Sequence, residues 1–518
     1  MAAHETAPRS GDGPHGAPCA RKGSGGFAGN VLALSGGAVA AQALTVASAP
    51  VVSRLFAPEA FGVAAVFASA VALLLGAGCL RYELAIPLPA RDEDAAGLFA
   101  LCCLVVLAVA GLVGVGVWLG GPAALRAIGA EELVPLRGGV PVAVFLMGMA
   151  LPLRFWSTRQ RQFRRLAAVR VASAVVAVGL TLGLGFAGFR SGGHLVAARV
   201  AGFAATFALL GWWCWRSDAR FLARHVSLGG LRRLARRYAK FPLVSSWASF
   251  LNIASRNLPA LMLVAFFGVA TAGFYGRAWL LLMLPMELVG RSIGQVFFQR
   301  AAAERAAGGA LGGLAERVSV RLVGVSVLPA LVVALIGPEL FVVVCGPRWA
   351  EAGVYARILS PVLLAVGVCS PMSTLTSVLE RQGAGLAATG FLCGARVAAL
   401  VVGGAVLGDA RWTVGLFSIA GVVGYLGFYG YLLRAAGGSA RRVGAATLRS
   451  LAYAVPTLAV GAAARWVLGC AAWQVVVCVA VASVSYWVLA VRDDAAARAL
   501  VSRATGSVRA AWRMARSG

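Results

Sequence analysis

Long apolar blocks alternate with short polar connections along most of the chain. The stretch from Phe61 to Leu80 contains no charged residue, and about 20 such residues are enough to cross the hydrocarbon core of a bilayer. Comparable blocks recur as far as residue 491. The pattern predicts an all-α polytopic membrane protein with about 14 transmembrane helices.

Composition and charge placement support this prediction. Of 518 residues 60% are hydrophobic and only 13% are charged, which is too apolar for a soluble domain. A net charge of +28 would suggest nucleic-acid binding in a soluble protein. Here the arginines concentrate in alternate connections, as the positive-inside rule describes. We therefore predict a multi-pass protein of the cell (inner) membrane with both termini cytoplasmic and no nucleic-acid partner.

Two similar connections suggest an internal repeat. Phe56 and Gly62 in the first, and Phe267 and Gly273 in the second, share the spacing Phe-x5-Gly. Because an even number of helices per repeat preserves orientation, we predict two parallel six-helix lobes and an additional C-terminal helix pair. The predicted units are a disordered tail (1–26), the N-terminal lobe (27–215), a basic amphipathic linker (216–240), the C-terminal lobe (241–434), two final helices (450–491) and a basic cytoplasmic tail (492–518).

The ten cysteines do not indicate a chemical site. Nine lie within or beside apolar blocks, the tenth lies in the N-terminal tail, and no CxxC or nearby histidine offers metal-ligand spacing. We interpret them as small packing residues. No metal, cofactor or catalytic residue is predicted.

The N-terminal third carries a family resemblance. Residues 53–62, Ser-Arg-Leu-Phe-Ala-Pro-Glu-Ala-Phe-Gly, and residues 80–89, Leu-Arg-Tyr-Glu-Leu-Ala-Ile-Pro-Leu-Pro, resemble the N-terminal signature of Wzx-type polysaccharide flippases. These belong to the multidrug/oligosaccharidyl-lipid/polysaccharide exporter superfamily. The resemblance implies two lobes around a central cavity, alternating access, and a substrate of oligosaccharide on undecaprenyl pyrophosphate. Membrane lipids, a polysaccharide polymerase and glycosyltransferases are the other partners that it suggests.

Charged residues within apolar blocks are the candidates for the site, since each costs roughly 2.5–3.5 kcal/mol at the centre of a bilayer. They are densest in the seventh and eighth predicted helices. A spacing of four residues places Asn252 and Arg256 on one helix face. The same spacing places Arg291 on one face with Glu287 and Gln295.

Arginine suits a pyrophosphate because its planar fork binds phosphate oxygens through two nitrogens. The predicted substrate-binding residues are Arg81, Arg256, Arg277, Arg291, Asn252, Asn257 and Gln295. Arg199 and Arg396 also lie within apolar blocks and are weaker candidates for substrate binding. Glu83 and Glu287 are either coupling sites or ion-pair partners of Arg81 and Arg291, and arginines at helix ends could instead extend to lipid headgroups.

Three other functions remain open at this stage. A lipid II flippase would share the cationic cavity and differ in its sugar, whereas a drug/cation antiporter of the same superfamily would favour acidic cavity residues. A membrane-embedded glycan polymerase or ligase should carry a large extramembrane loop. The longest connection on the predicted outer side, residues 120–137, is short for a catalytic domain.

Overall fold

The computed structural model describes residues 27–76, 78–127, 129, 131–225 and 227–493. It is 88% helical, and no strand occurs in these ranges. The helices are α1 (Phe27–Leu55), α2 (Pro58–Leu75), α3 (Asp92–Ala127), α4 (Gly139–Arg159), α5 (Phe163–Phe186), α6 (Gly192–Arg224), α7 (Leu228–Arg237), α8 (Ser246–Phe267), α9 (Val269–Ala306), α10 (Gly312–Cys345), α11 (Ala350–Met372), α12 (Leu375–Val378), α13 (Gln382–Val401), α14 (Ala410–Ala435), α15 (Ala440–Ala462) and α16 (Ala472–Asp493).

Thirteen helical segments of the described chain are long and apolar enough to cross a membrane. Helix α9 is not among these thirteen, and it carries arginine and glutamate residues within its apolar sequence. It nevertheless has 38 residues and packs between α2 and α11 in the middle of the bundle. Together with α9 the spans agree with the predicted all-α polytopic fold of about 14 helices. The predicted tails at 1–26 and from 494 onward lie outside the described residues.

Helix α2 is shorter than its apolar sequence suggests. It begins at Pro58, where a missing backbone N–H costs nothing, and ends at Leu75 before Gly76 and Gly78. Leu80 and Arg81 then adopt left-handed backbone angles, with φ of 47° and 63°. The expectation that Arg81 lies at the end of this helix is therefore wrong: a turn and a 3-10 segment (Tyr82–Ala85) follow the helix instead.

The same helix pairings occur in both halves of the chain. In α1–α6, α1 packs on α5, α2 on α4, α3 on α4, α4 on α6 and α5 on α6. In α8–α14, the pairs α8–α13, α9–α11, α10–α11, α11–α14 and α13–α14 follow the same order. We call these sets the first and second halves. The exact boundaries of the predicted lobes stay a prediction, and α6 continues to Arg224, into the predicted linker.

Successive spans reverse direction, so the arginine-rich connections all fall on one end of the bundle. We call this end the basic side and the other the opposite side. Helix α7 lies at the basic side, with Leu231 and Leu234 buried and its arginines mostly exposed. A Cβ at Gly97 of α3 would collide with Leu234. The apolar face of this amphipathic helix thus packs on protein rather than on lipid alone.

Candidate functional site

The two halves are sealed together at the opposite side, and Arg277 is at the centre of the seal. Its guanidinium, on α9, donates hydrogen bonds to the carbonyl oxygen of Ala49 and to Oγ of Ser53 on α1. The same group lies 4.8 Å from the ring centroid of Phe61 on α2. Arg277 is only 5% exposed. This predicted substrate-binding residue therefore joins the halves, and both of its hydrogen bonds come from one nitrogen, Nη2.

Trp349, in the turn before α11, completes the seal. Its indole N–H donates to the backbone carbonyl of Ser53 at 2.7 Å. Its ring meets Phe61 edge-on, with the centroids 5.0 Å apart. The Arg54 guanidinium donates to the carbonyl of Val343 at 2.9 Å, which ties α1 to α10. Five elements of the two halves, namely α1, α2, α9, α10 and the turn before α11, thus converge on one small region.

The two glycines of the sequence repeat lie within this seal and pack against each other's helices. A Cβ on Gly62 of α2 would collide with the backbone oxygen of Val269, which begins α9. A Cβ on Gly273 of α9 would collide with the backbone oxygen of Pro58, which begins α2. Only glycine, which has no Cβ, allows the backbones of α2 and α9 to approach this closely. The repeat therefore marks a place where the halves meet.

The other candidates of the seventh and eighth predicted helices do not form one cluster in the described part of the chain. Asn257 donates its amide to the carbonyl of Ile253 on its own helix at 2.8 Å. Asn252 and Arg256 are exposed on α8. Gln295 lines a separate depression of about 370 Å³ between α9 and α11. The side chains of Glu287 and Arg291 lie outside the described residues, so their roles stay predictions.

Arg81 and Glu83 form a loose pair at the basic side. Arg81 Nη1 lies 3.7 Å from Oε1 of Glu83, whose side chain is 5% exposed. The second carboxyl oxygen, Oε2, has no hydrogen-bond partner. Burial raises the pKa of Glu83 above its ordinary value, against smaller opposing effects of its backbone and Arg81. The geometry fits both a simple ion pair and a group that takes up a proton.

A further space lies elsewhere, within the first half. A cavity of about 550 Å³ is bounded by residues 147–158 of α4, 166–177 of α5 and 199–210 of α6. Each stretch is about 16 Å long at the rise of an α-helix. Three arginines line it: Arg154, Arg170 and Arg199. Among the described residues that line this cavity, none is acidic.

Two of these arginines were missed by the sequence reasoning. Neither Arg154 nor Arg170 is among the arginines that the sequence analysis selects as candidates. The signal was the polar and small face of α5, where Arg170, Ser173, Ala174 and Ala177 follow helical spacing. Arg199 was foreseen as an intramembrane charge. Arg396, the other weaker candidate, is 2% exposed and packs against Phe417, 4.7 Å from its ring centroid.

The architecture has counterparts among solved membrane transporters. An inward-facing structure of a multidrug resistance MATE family transporter of the MOP superfamily is 16% identical, with a TM-score of 0.62 over 79% of this chain and 96% of the other. A structure of the lipid II flippase MurJ in an inward closed conformation is 12% identical, with a TM-score of 0.65 over 89% of this chain and 99% of the other. The fold is that of the MOP superfamily.

The sequence identifies the family within that fold. Residues 51–353, more than half of the chain, match the family described as polysaccharide biosynthesis protein, and the chain belongs to it. No curated protein matches the sequence significantly. The resemblance to polysaccharide flippases of this superfamily is confirmed.

Proposed function

We propose that this protein flips oligosaccharides linked to undecaprenyl pyrophosphate across the cytoplasmic membrane for the synthesis of a surface polysaccharide. The observation that carries the proposal is an internal cavity with three arginines and no acidic lining residue among those described, in a chain of the polysaccharide biosynthesis family. A cationic path fits an anionic lipid headgroup. The protein binds and moves this substrate and does no bond chemistry.

The sign of the charges argues against a cation antiporter. A cationic drug would meet three guanidinium groups in the cavity, and each repels it at short range in a medium of reduced dielectric constant. A diphosphate is attracted by the same groups. The charge pattern therefore favours a lipid diphosphate over a cationic drug.

The seal at the opposite side supports an alternating-access mechanism. The contacts of Arg277, Trp349, Gly62 and Gly273 hold the halves together at one end of the bundle. Moving a headgroup to the opposite side requires these contacts to break while the halves pivot. By the positive-inside rule the basic side is cytoplasmic. Glycosyltransferases then act before the protein at that side, and a polymerase acts after it.

The experiment is deletion of the gene followed by analysis of lipid-linked intermediates. We expect oligosaccharide-diphosphate lipids to accumulate with their sugars accessible only from the cytoplasm, and surface polysaccharide to be lost. Expression of the protein in the deletion strain should restore both. Unchanged surface polysaccharide with an altered drug resistance profile would overturn the proposal in favour of an antiporter. Accumulation of lipid II alone would instead assign the carrier to peptidoglycan synthesis.

A further inference from the structure

We infer that the cavity between α4, α5 and α6 is a binding site for a phosphate or diphosphate group. The site belongs to the first half alone and is separate from the α8 and α9 residues that the sequence singles out. Its identification as an anion site rests on the cavity itself. Only the assignment of the anion to a lipid headgroup rests on the proposed function.

The three arginines of the cavity lack partners within the described protein. Arg154, Arg170 and Arg199 have no hydrogen bond or ion pair there, and each remains accessible within the cavity. Arg154 and Arg170 are close enough for their charges to repel each other. Like charges held together without a counter-ion are unfavourable, and a bound anion relieves both the repulsion and the missing hydrogen bonds.

The arginines are also the hydrogen-bond donors that remain free. The hydroxyls of Thr158, Ser173 and Thr206 line the same space, but each donates its proton to a carbonyl of its own helix. The guanidinium groups are thus the donors directed at a ligand, and their planar forks match phosphate oxygens. A volume of about 550 Å³ falls within the usual range for small-ligand sites.

Two residues that line the cavity also contact the main apolar cluster of the protein. Met147 and Phe203, which line it, also pack against the apolar cluster that contains residues of both halves. Helix α3 covers a different face of α4, where a Cβ on Gly148 would touch Val106. The cavity therefore borders the cluster through which the two halves pack together.

Helices α13 and α14 of the second half pack differently from α5 and α6 of the first. Gly202 of α6 packs against Ala177 of α5, whereas Gly421 of α14 packs against the guanidinium of Arg396 on α13. Arg396 is buried among aromatic rings, 4.7 Å from the centroid of Phe417. Arg396 thus lies against Gly421 where the first half has Ala177 against Gly202, and its Nε and Nη2 have no hydrogen-bond partner. The two halves therefore place their arginines differently at this contact.

The test measures binding to the full-length protein in nanodiscs of zwitterionic lipid. The probes are inorganic diphosphate, a short isoprenoid diphosphate and the corresponding isoprenoid alcohol. We expect both diphosphates to bind and the alcohol not to bind. R199A and R170A should each weaken binding at least tenfold, since a hydrogen bond to a charged group contributes about 1.5–3 kcal/mol. Tighter binding of the isoprenoid form would identify a lipid headgroup as the ligand, and equal binding would identify a free anion.

Two further variants test whether a change in binding comes from the cavity itself or from a general change in charge or folding. R164A removes an exposed arginine from the same helix α5 outside the cavity and should bind as wild type. A174W fills the cavity without changing its charge and should abolish binding while the thermal unfolding midpoint stays near wild type. Wild-type affinity in R199A, R170A and A174W would overturn the site. Diphosphate binding by a wild-type protein that moves no lipid-linked sugar in proteoliposomes would refute the proposed function and leave the site standing.

Discussion

Arg277 is the residue whose role changes most between sequence and structure. Its charge made it a candidate for substrate binding, yet its guanidinium bonds to Ala49 and Ser53 across the interface and lies against the ring of Phe61. Each hydrogen bond from a charged donor contributes about 1.5–3 kcal/mol. Contacts of this strength suit a latch, by which we mean a contact that stabilises the state closed at this end and must break in the open state.

Replacing Arg277 by Ala should therefore loosen the seal. Cys345 reports on this, because it is 1% exposed and lies next to Arg277. In a protein with the other cysteines replaced, we expect R277A to increase labelling of Cys345 by an impermeant maleimide added outside at least tenfold. R277K keeps the charge but loses the fork and should be intermediate. The exposed Arg348 provides the control, since R348A should leave labelling unchanged. Equal protection in R277A would contradict the latch.

Glu83 should make folding stability depend on pH. Burial raises its pKa, so the folded state holds the proton more tightly than the unfolded chain, whose carboxyl titrates near pH ~4.3. The stabilisation is complete below that pH and is lost as pH rises through the raised pKa of Glu83. The neighbouring ionisable groups are Arg81, whose charge opposes the shift, and the uncharged thiol of Cys102.

The measurement compares thermal unfolding of wild type and E83Q across this range. We expect the midpoint of the wild type to fall relative to that of E83Q as pH rises, because only the wild type gains a buried charge. A difference between the two proteins that does not vary with pH would show that Glu83 keeps the same proton occupancy in both states.

At the scale of residues the sequence predicts which side chains are unusual better than what they do. An arginine in an apolar block is visible in any window, and Arg199, Arg277 and Arg396 were found in this way. Their partners were not, because Arg277 meets residues about 220 positions earlier in the chain. These three arginines carry the same charge but lie in different environments. Arg277 joins the two halves, Arg396 packs among aromatic rings and Arg199 lines an open cavity.

At the scale of elements, the beginnings of α2 and α9 form the tightest contact described between the halves. Gly62 and Gly273 each lie against the backbone of the other helix, so that an added methyl group must push the halves apart. Overpacking of this kind costs roughly 1–3 kcal/mol. In a transporter the cost falls only on the state in which this end is closed.

We therefore expect G62A to shift the equilibrium away from the sealed state. Its effect should appear as increased labelling of Cys345 from outside, with the helical content unchanged. G179A on α5 is the matched control, because a Cβ there would meet nothing within 4 Å. If G62A and G179A protect Cys345 equally, the glycine contact does not control closure.

Helix positions follow from the sequence more reliably than helix ends. The apolar blocks predict every span, including the charge-bearing helix α9. The end of α2 was placed too late, since Gly76 and Gly78 stop the helix inside an apolar run. Hydropathy reports the solvent around a segment, whereas glycine and backbone hydrogen bonding decide where the helix stops.

At the scale of the whole molecule, the repeated helix pairings could be predicted from the sequence, but the different placement of arginines in the two halves could not. A Phe-x5-Gly pattern in two connections suggested duplicated halves, and the helix pairs recur in the same order. The sequence does not show that Ala177 in the first half and Arg396 in the second half both pack against a glycine. That comparison requires the contacts of Gly202 and Gly421 in the structure. The two halves of a duplicated fold thus place arginines differently, around a cavity in the first and against aromatic rings in the second.

Alternating access predicts that a covalent link across the seal stops transport. The side chain of Arg54 spans from α1 to the carbonyl of Val343 on α10, so cysteines at these two positions lie about one arginine length apart. A reducible bifunctional thiol reagent of that length should abolish flipping by R54C/V343C in proteoliposomes, and reduction should restore it. Each single variant treated with the same reagent controls for modification alone. Transport at the wild-type rate by the linked protein would mean that the substrate passes without separation of the halves at this end. The two-lobe mechanism would then be wrong, although the anion site of the first half would remain.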